Sequence, residues 1–252
     1  MAESYRPGAF LLLVAAGRGA KTEGMTDTQP YRITVLLFDG VEELDFTGPW
    51  ETLRIWQTVA TRPVSVRTAS LDGAPVRCAL GLTVTPDGGI DDEPRPDLIV
   101  HPGGAGIATL YADQAHLARM RALAEHGTTM TSVCNGATVY AAAGLLDGRA
   151  ATSHWLVLDE LAGQHPKVEV VRDRRWVDAG PVVTSAGITA GIDMALHLID
   201  RLENTDMARA VAGMLEHPWD PRVDLVAATS PENRHHTLTA IVPLMQAARV
   251  AD

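Results

Sequence analysis

The chain has 252 residues, 46% hydrophobic and 21% charged, with a formal net charge of -10, a length and composition that suit one sizeable globular domain with appendages. The acidic balance argues against nucleic acid as the main partner, because phosphate binding needs a basic surface. With two cysteines, Cys78 and Cys134, no disulfide framework is visible, and a reducing, cytoplasmic compartment is the default.

Residues 1–30 read as an extension, either disordered or a mis-assigned start with translation from Met25. The apolar run 9–16 is far too short to span a membrane. Its thin basic start and poor cleavage region also make a weak signal peptide, so neither secretion nor a membrane partner is expected. Residues 31–252 read as one domain with a C-terminal tail.

Within that domain, 31–38 reads as a buried strand, Asp39-Gly40 as a turn and 49–60 as a helix. Residues 64–69 form a second strand. A hairpin-like stretch follows, with arms at 74–78 and 82–85, then an acidic, proline-rich loop over 86–96. Residues 97–101 are a short apolar strand ending on Pro102-Gly103-Gly104, and 105–126 reads as one helix. Residues 128–133 form the next strand and 137–143 a helix. Short strands are expected near 150–152, 168–171 and 181–184, with a helix over 154–163. Ile188, Ile192, Ala195, Ile199 and Leu202 share one helical face, so 189–202 is an amphipathic helix; another covers 207–215. Strands alternating with helices imply a parallel sheet covered on both faces, with sites at the carboxyl ends of strands.

The segment Thr131-Ser132-Val133-Cys134-Asn135-Gly136-Ala137 carries the most information. A strand ends on a cysteine and a helix begins two residues later, the thiol counterpart of the nucleophile elbow. At a helix N-terminus the unpaired N–H groups and the dipole are expected to lower the pKa of Cys134. The alternative is an inert buried thiol.

Cysteine catalysis also requires a group that handles protons and donors for developing negative charge. The Asn135 N–H is one such donor. Gly103 and Gly104 let backbone N–H groups approach a ligand, or simply make a tight turn. His154 is a candidate proton handler, or a helix-start histidine, and His101 stands in the same position. Glu42, Glu43 and Asp45 follow the first strand. Asp45, flanked by Leu44 and Phe46, is either a semi-buried carboxyl with a raised pKa or an N-cap for the helix beginning near Pro49. No metal-ligand spacing is present. Gly187-Ile188-Thr189-Ala190-Gly191 lacks the Lys-Ser/Thr of a phosphate loop and reads as close packing at a helix start. His235 and His236 read as solvated.

Together these segments resemble the ThiJ/PfpI-like superfamily, in its isonitrile hydratase branch. The likeness runs from about residue 33 to 221. It is carried by Leu44-Asp45-Phe46-Thr47-Gly48-Pro49, Pro102-Gly103-Gly104, the elbow, 143–150, Ala151-Thr152-Ser153-His154-Trp155 and 187–193. The resemblance implies a flavodoxin-like α/β sandwich, a homodimer, Cys134 as nucleophile and Asp45 as its carboxyl partner. In the protease and deglycase branches a glutamate takes the carboxyl place, and protease-like members carry His after the cysteine; Asp45 and Asn135 depart from both patterns. Hydratases usually carry Thr where Asn135 stands.

The implied activity is cofactor-free hydration of a small-molecule isonitrile to a formamide. Alternatives are a glyoxalase or deglycase acting on reactive carbonyls, a ligand-sensing domain related to AraC-type regulators, and a redox sensor built on Cys134. The tail after Pro221 is short for the two helix-turn-helix units of such regulators.

Overall fold

A computed structural model describes residues 29–220 and 230–242. The 9–16 run and Met25 lie outside the described residues. The central sheet contains β1 (Tyr31–Leu36), β2 (Val64–Ala69), β5 (Leu98–His101), β6 (Thr129–Ser132), β9 (Trp176–Asp178) and β10 (Val182–Ser185). Their spatial order is β2-β1-β5-β6-β10-β9. All neighbours run parallel except the edge pair β9 and β10. The two-residue strands β3 (Val76–Arg77) and β4 (Thr83–Val84) make a small hairpin, and β7 (Ala150–Ala151) pairs with β8 (Glu169–Val170).

The inner strands are buried almost throughout because helices cover both faces, and most of their Thr and Ser residues are buried with the apolar ones. Ile33, Val35, Leu98, Ile99, Val100, Met130 and Val183 are all fully buried. One helical layer packs α1 (Glu43–Val59) against α6 (Ala190–Leu202), with α7 (Thr205–Met214) beside them. Another contains α2 (Ile107–Ala112), α3 (Gln114–Glu125) and α4 (Gly136–Ala142), while α5 (Leu158–Gln164) follows a 3-10 turn, Trp155–Val157. A last helix, α8 (Pro231–His236), carries an exposed His235. No helix among the described residues is long and apolar enough to cross a membrane. Cys78 and Cys134 are both free thiols.

The structure departs from the sequence reading in four places. Helix α1 starts at Glu43, six residues before Pro49, so Asp45 is neither in a loop nor an N-cap; it lies in the first turn. Pro49 sits inside the helix, because its missing N–H costs only the bond to the Asp45 carbonyl and its ring helps fill the α1–α6 contact against Gly191. The expected helix over 105–126 is two helices. The break is at Asp113, whose carboxylate caps α3 by accepting from the Ala115 and His116 N–H groups at 2.9 and 3.3 Å. The region expected to hold one helix over 154–163 opens as a 3-10 turn capped by His154. Strand β9 was not foreseen at all: it is three residues long, antiparallel, and follows the polar 172–175 run.

The register positions the site. His101 and Ser132, the last residues of β5 and β6, lie opposite each other. The Pro102-Gly103-Gly104 loop and the Cys134 turn therefore emerge side by side. The loop is tied to the start of α1 by a bridge between Val41 and Gly104, and by the Glu42 N–H donating to Gly103 O at 2.9 Å.

Candidate active site

Cys134 has φ 58, a left-handed conformation that a side chain adopts only under constraint. Its neighbours supply that constraint. The Cys134 N–H donates to Ala186 O at 3.3 Å, and the Ser153 hydroxyl donates to Cys134 O at 2.7 Å. The residue as a whole is half-buried, with its sulfur deep in the fold.

Asp45 is completely buried. Its Oδ2 accepts from the Gly103 N–H at 3.0 Å, while its Oδ1 has no hydrogen-bond partner among the described residues. Burial raises its pKa to about 7, Glu42 adds to the rise, and the Gly103 N–H and the Cys134 thiol oppose it. The Cys134 thiol is pushed well above its ordinary pKa by burial first and by the Asp45 charge second. The expectation of a depressed thiol pKa is therefore overturned. The Asn135 N–H at the start of α4 does favour the thiolate, but desolvation and a neighbouring carboxylate outweigh one helix end. At rest the pair holds its proton on sulfur, and its two protons come off as properties of the pair.

The glycine loop also differs from its expected use. The Gly103 N–H is engaged by Asp45 and the Gly104 N–H by Asn135 Oδ1 at 2.8 Å, so neither waits for a ligand. Buried donors are satisfied within the fold where a partner is in reach. Asn135 returns the contact, its amide donating to Gly104 O at 3.2 Å, which ties the loop to the elbow. Gly103 is needed for space: a Cβ there would lie 2.9 Å from Asp45 Oδ2.

His154 caps the 3-10 turn, its Nδ1 accepting from the Leu156 N–H at 3.3 Å, and burial lowers its pKa. The helix-start reading thus describes it. Its ring and the Cys134 sulfur flank the same narrow space in front of Gly187, where an added Cβ would stand 3.0 Å from Sγ and closer still to the ring. The sequence reading gave Gly187 only a packing role. Its position just past β10, the strand beside β6, was the available signal, since α/β sites gather at such strand ends. Gly187→Ala is expected to slow alkylation of Cys134 by iodoacetamide about tenfold or more, because small displacements at a reacting atom are costly. Site-resolved mass spectrometry on folded protein measures it, and an unchanged rate would mean that the sulfur is reached from another side.

A cleft of about 680 Å³ opens over Cys134 and Asn135. Leu80, Ile107, Val157, Leu161 and Ile188 make an apolar wall, and Glu42 and Glu160 add carboxylates, while no Lys or Arg among the described residues lines it. At its far end the Tyr111 hydroxyl lies 3.1 Å from both Gln164 Oε1 and His165 Nε2. Side chains from distant parts of the chain build this end, and nothing in the local sequence marked them.

A cysteine on a strained strand-to-helix turn, faced by a buried carboxyl at the carboxyl edge of a flavodoxin-like sheet, defines a recognisable class. The DJ-1/PfpI family matches residues 31–201, and the chain belongs to that family. It is 41% identical over 197 residues to the isonitrile hydratase of Pseudomonas putida, covering 77% of this chain and 81% of that protein. It is 31% identical over 228 residues to the HTH-type transcriptional regulator GbdR of Pseudomonas aeruginosa, covering 86% of this chain but 60% of the regulator. Among solved structures, a ThiJ/PfpI family protein from Pseudomonas syringae aligns with TM-score 0.72 and 26% identity, over 89% of this chain and 95% of that one.

Proposed function

We propose that the protein hydrates an isonitrile to an N-substituted formamide without a cofactor, as a cytoplasmic enzyme of the lyase class. The observation that carries this reading is the buried Asp45 carboxyl beside the Cys134 thiol, with one oxygen unpartnered and a pKa of about 7. The similarity to the Pseudomonas putida hydratase supports it.

The chemistry follows from that proton inventory. The thiol proton passes to Asp45 as the sulfur attacks the terminal isonitrile carbon, forming the C–S bond. Asp45 then gives the proton to that carbon, leaving a thioimidate, R–N=CH–S. Asp45, again a carboxylate, takes a proton from water as the water oxygen adds to the same carbon, and passes it to the nitrogen. On collapse Asp45 relays the adduct hydroxyl proton to the leaving sulfur as C=O forms and C–S breaks, which returns sulfur and carboxyl to their starting state. The net change is one water gained, with no electrons exchanged. A carboxyl with a pKa near the working pH suits both donation and acceptance. The apolar wall accommodates the organic substituent.

The test is formamide formation from cyclohexyl isonitrile by purified protein, followed by NMR. Absence of turnover across alkyl and aryl isonitriles, with turnover of methylglyoxal to lactate instead, would transfer the assignment to reactive carbonyls. The cleft also discriminates by charge. With Glu42 and Glu160 on its lining and no Lys or Arg there among the described residues, isocyanoacetate is expected to react with kcat/KM at least about tenfold below a neutral isonitrile of similar size, the scale of one carboxylate repulsion in a partly wet cleft. Equal rates would remove the charge argument.

A second reading draws on the likeness to GbdR: the same cleft senses a small molecule without turning it over. Binding of an isonitrile or amine that protects the protein thermally, with no product formed, would favour it.

A further inference from the structure

We propose that His101 is a positioning residue, which holds the peptide unit that carries the Asp45 carboxyl and thereby sets where that carboxyl stands against Cys134. The inference rests on Asp45 and Cys134 being the reacting pair, as proposed above, but not on the identity of the substrate.

His101 is the last residue of β5 and is completely buried. Its Nδ1 lies 2.9 Å from Pro102 O and its Nε2 lies 3.0 Å from His116 Nε2. A carbonyl only accepts, so Nδ1 carries the proton and donates. Burial keeps this ring neutral, its pKa lowered to about 3, so Nε2 of His101 has only a lone pair and His116 donates to it from its own Nε2. That leaves His116 Nδ1 as a bare acceptor, and it is indeed buried without a partner among the described residues. Burial lowers the pKa of His116 as well, to about 4, so both rings are neutral.

The consequence lies in one peptide plane. The carbonyl of Pro102 and the N–H of Gly103 belong to the same peptide unit, which is trans. In a trans unit the two bonds point in opposite directions. Holding the carbonyl toward His101 aims the N–H the other way, where it meets Asp45 Oδ2 at 3.0 Å. Gly103 has no side chain to set that plane by itself. His101 is fixed in turn by the rings of Phe38 and Tyr140, whose centroids lie 5.7 and 5.6 Å from its own. His116 sits at the start of α3, where its N–H is accepted by Asp113, the acid that ends α2. A line of contacts thus runs from the α2–α3 break to the reacting carboxyl. The charged and titratable groups facing its two ends are Glu42 and Cys134 at Asp45, and Asp113 and Arg119 at His116.

Two substitutions separate the contacts of His101. Asparagine places an amide donor where Nδ1 stands, and glutamine can turn its amide oxygen, an acceptor, to where Nε2 stands. His101→Asn keeps the bond to Pro102 O, whereas His101→Gln keeps the bond to His116 and loses the other. The readout is the pH dependence of Cys134 alkylation by iodoacetamide, resolved by mass spectrometry on variants shown to be folded by circular dichroism. Its lower limb reports the first proton lost by the pair. Losing the N–H bond to a carboxylate raises the pH at which that proton leaves, so the limb of His101→Gln is expected about one pH unit above wild type. His101→Asn is expected to overlie wild type. A His101→Gln limb coincident with wild type, or an equal displacement in both variants, would overturn the proposal. A histidine that only fills space would lower thermal stability in both variants and move neither limb.

Discussion

Cys134→Ala is expected to produce no formamide above the uncatalysed background, a loss in kcat of at least about 10⁴-fold, as expected when a covalent nucleophile is removed. The size follows from the site. Among the groups that face the cleft, the sulfur is the one placed to add to carbon, and the two glycine-loop donors are occupied within the protein, the Gly103 N–H by Asp45 and the Gly104 N–H by Asn135, which leaves the Asn135 N–H alone. Little residual electrostatic catalysis remains once the thiol is gone. A companion variant separates chemistry from strain. Cys134 has φ 58, which costs a residue with a Cβ about 1 kcal/mol or more and glycine almost nothing. Cys134→Gly should therefore be as inactive as Cys134→Ala yet unfold at a higher temperature. Formamide formed by either variant at the wild-type rate would reject the covalent route; equal melting temperatures would reject the strain.

Asp45→Asn is expected to lower kcat/KM by about 10²- to 10⁴-fold, the usual worth of a positioned acid-base group, while making the protein more stable above neutral pH. The sign follows from linkage. The Asp45 carboxyl titrates at about 7 in the folded protein, against its ordinary value of 3.8. Between those values the folded state holds a proton that the unfolded state has released. Stability contributed by this group is therefore largest below the unfolded pKa, declines as pH rises through the window, and reaches its full deficit above the folded pKa. An amide cannot ionise, and its oxygen can still accept the Gly103 N–H. The variant should gain about 2–4 kcal/mol at pH 8, with the gain vanishing toward pH 4. Paired urea titrations at pH 4 and pH 8 measure it. A variant no more stable than wild type at pH 8 would show that Asp45 is not held under a desolvation penalty. A fully active one would remove it from the mechanism. Loss of activity with a gain in stability is the expected signature of a strained functional group.

Much of the framework was legible from local patterns. Strand-forming residues marked β1, β2, β5 and β6, with β5 a short apolar run, and all four lie largely buried in the sheet. The elbow was legible because strand-forming residues end abruptly on Cys134 before a glycine and a helical run. The boundaries failed where a long-range contact decided them. Helix α1 runs through Pro49 because its packing against α6 outweighs one missing hydrogen bond. The helix over 105–126 breaks at Asp113 because that carboxylate finds two backbone donors ahead of it. Strand β9 is too short to show a period and exists because β10 offers it an edge.

Which residue types could do chemistry, and at which turn a thiol would be presented, are properties of short stretches of chain, and they follow from side-chain size, branching and backbone freedom. Whether that thiol would rest protonated is not such a property. It depends on Asp45, Gly103, Cys134 and Gly187 arriving at one point from four strand ends, and on how much water the packing leaves there. The order of strands in the sheet decides both, since proximity and desolvation arise between segments far apart in the chain and leave no periodic trace within any one of them.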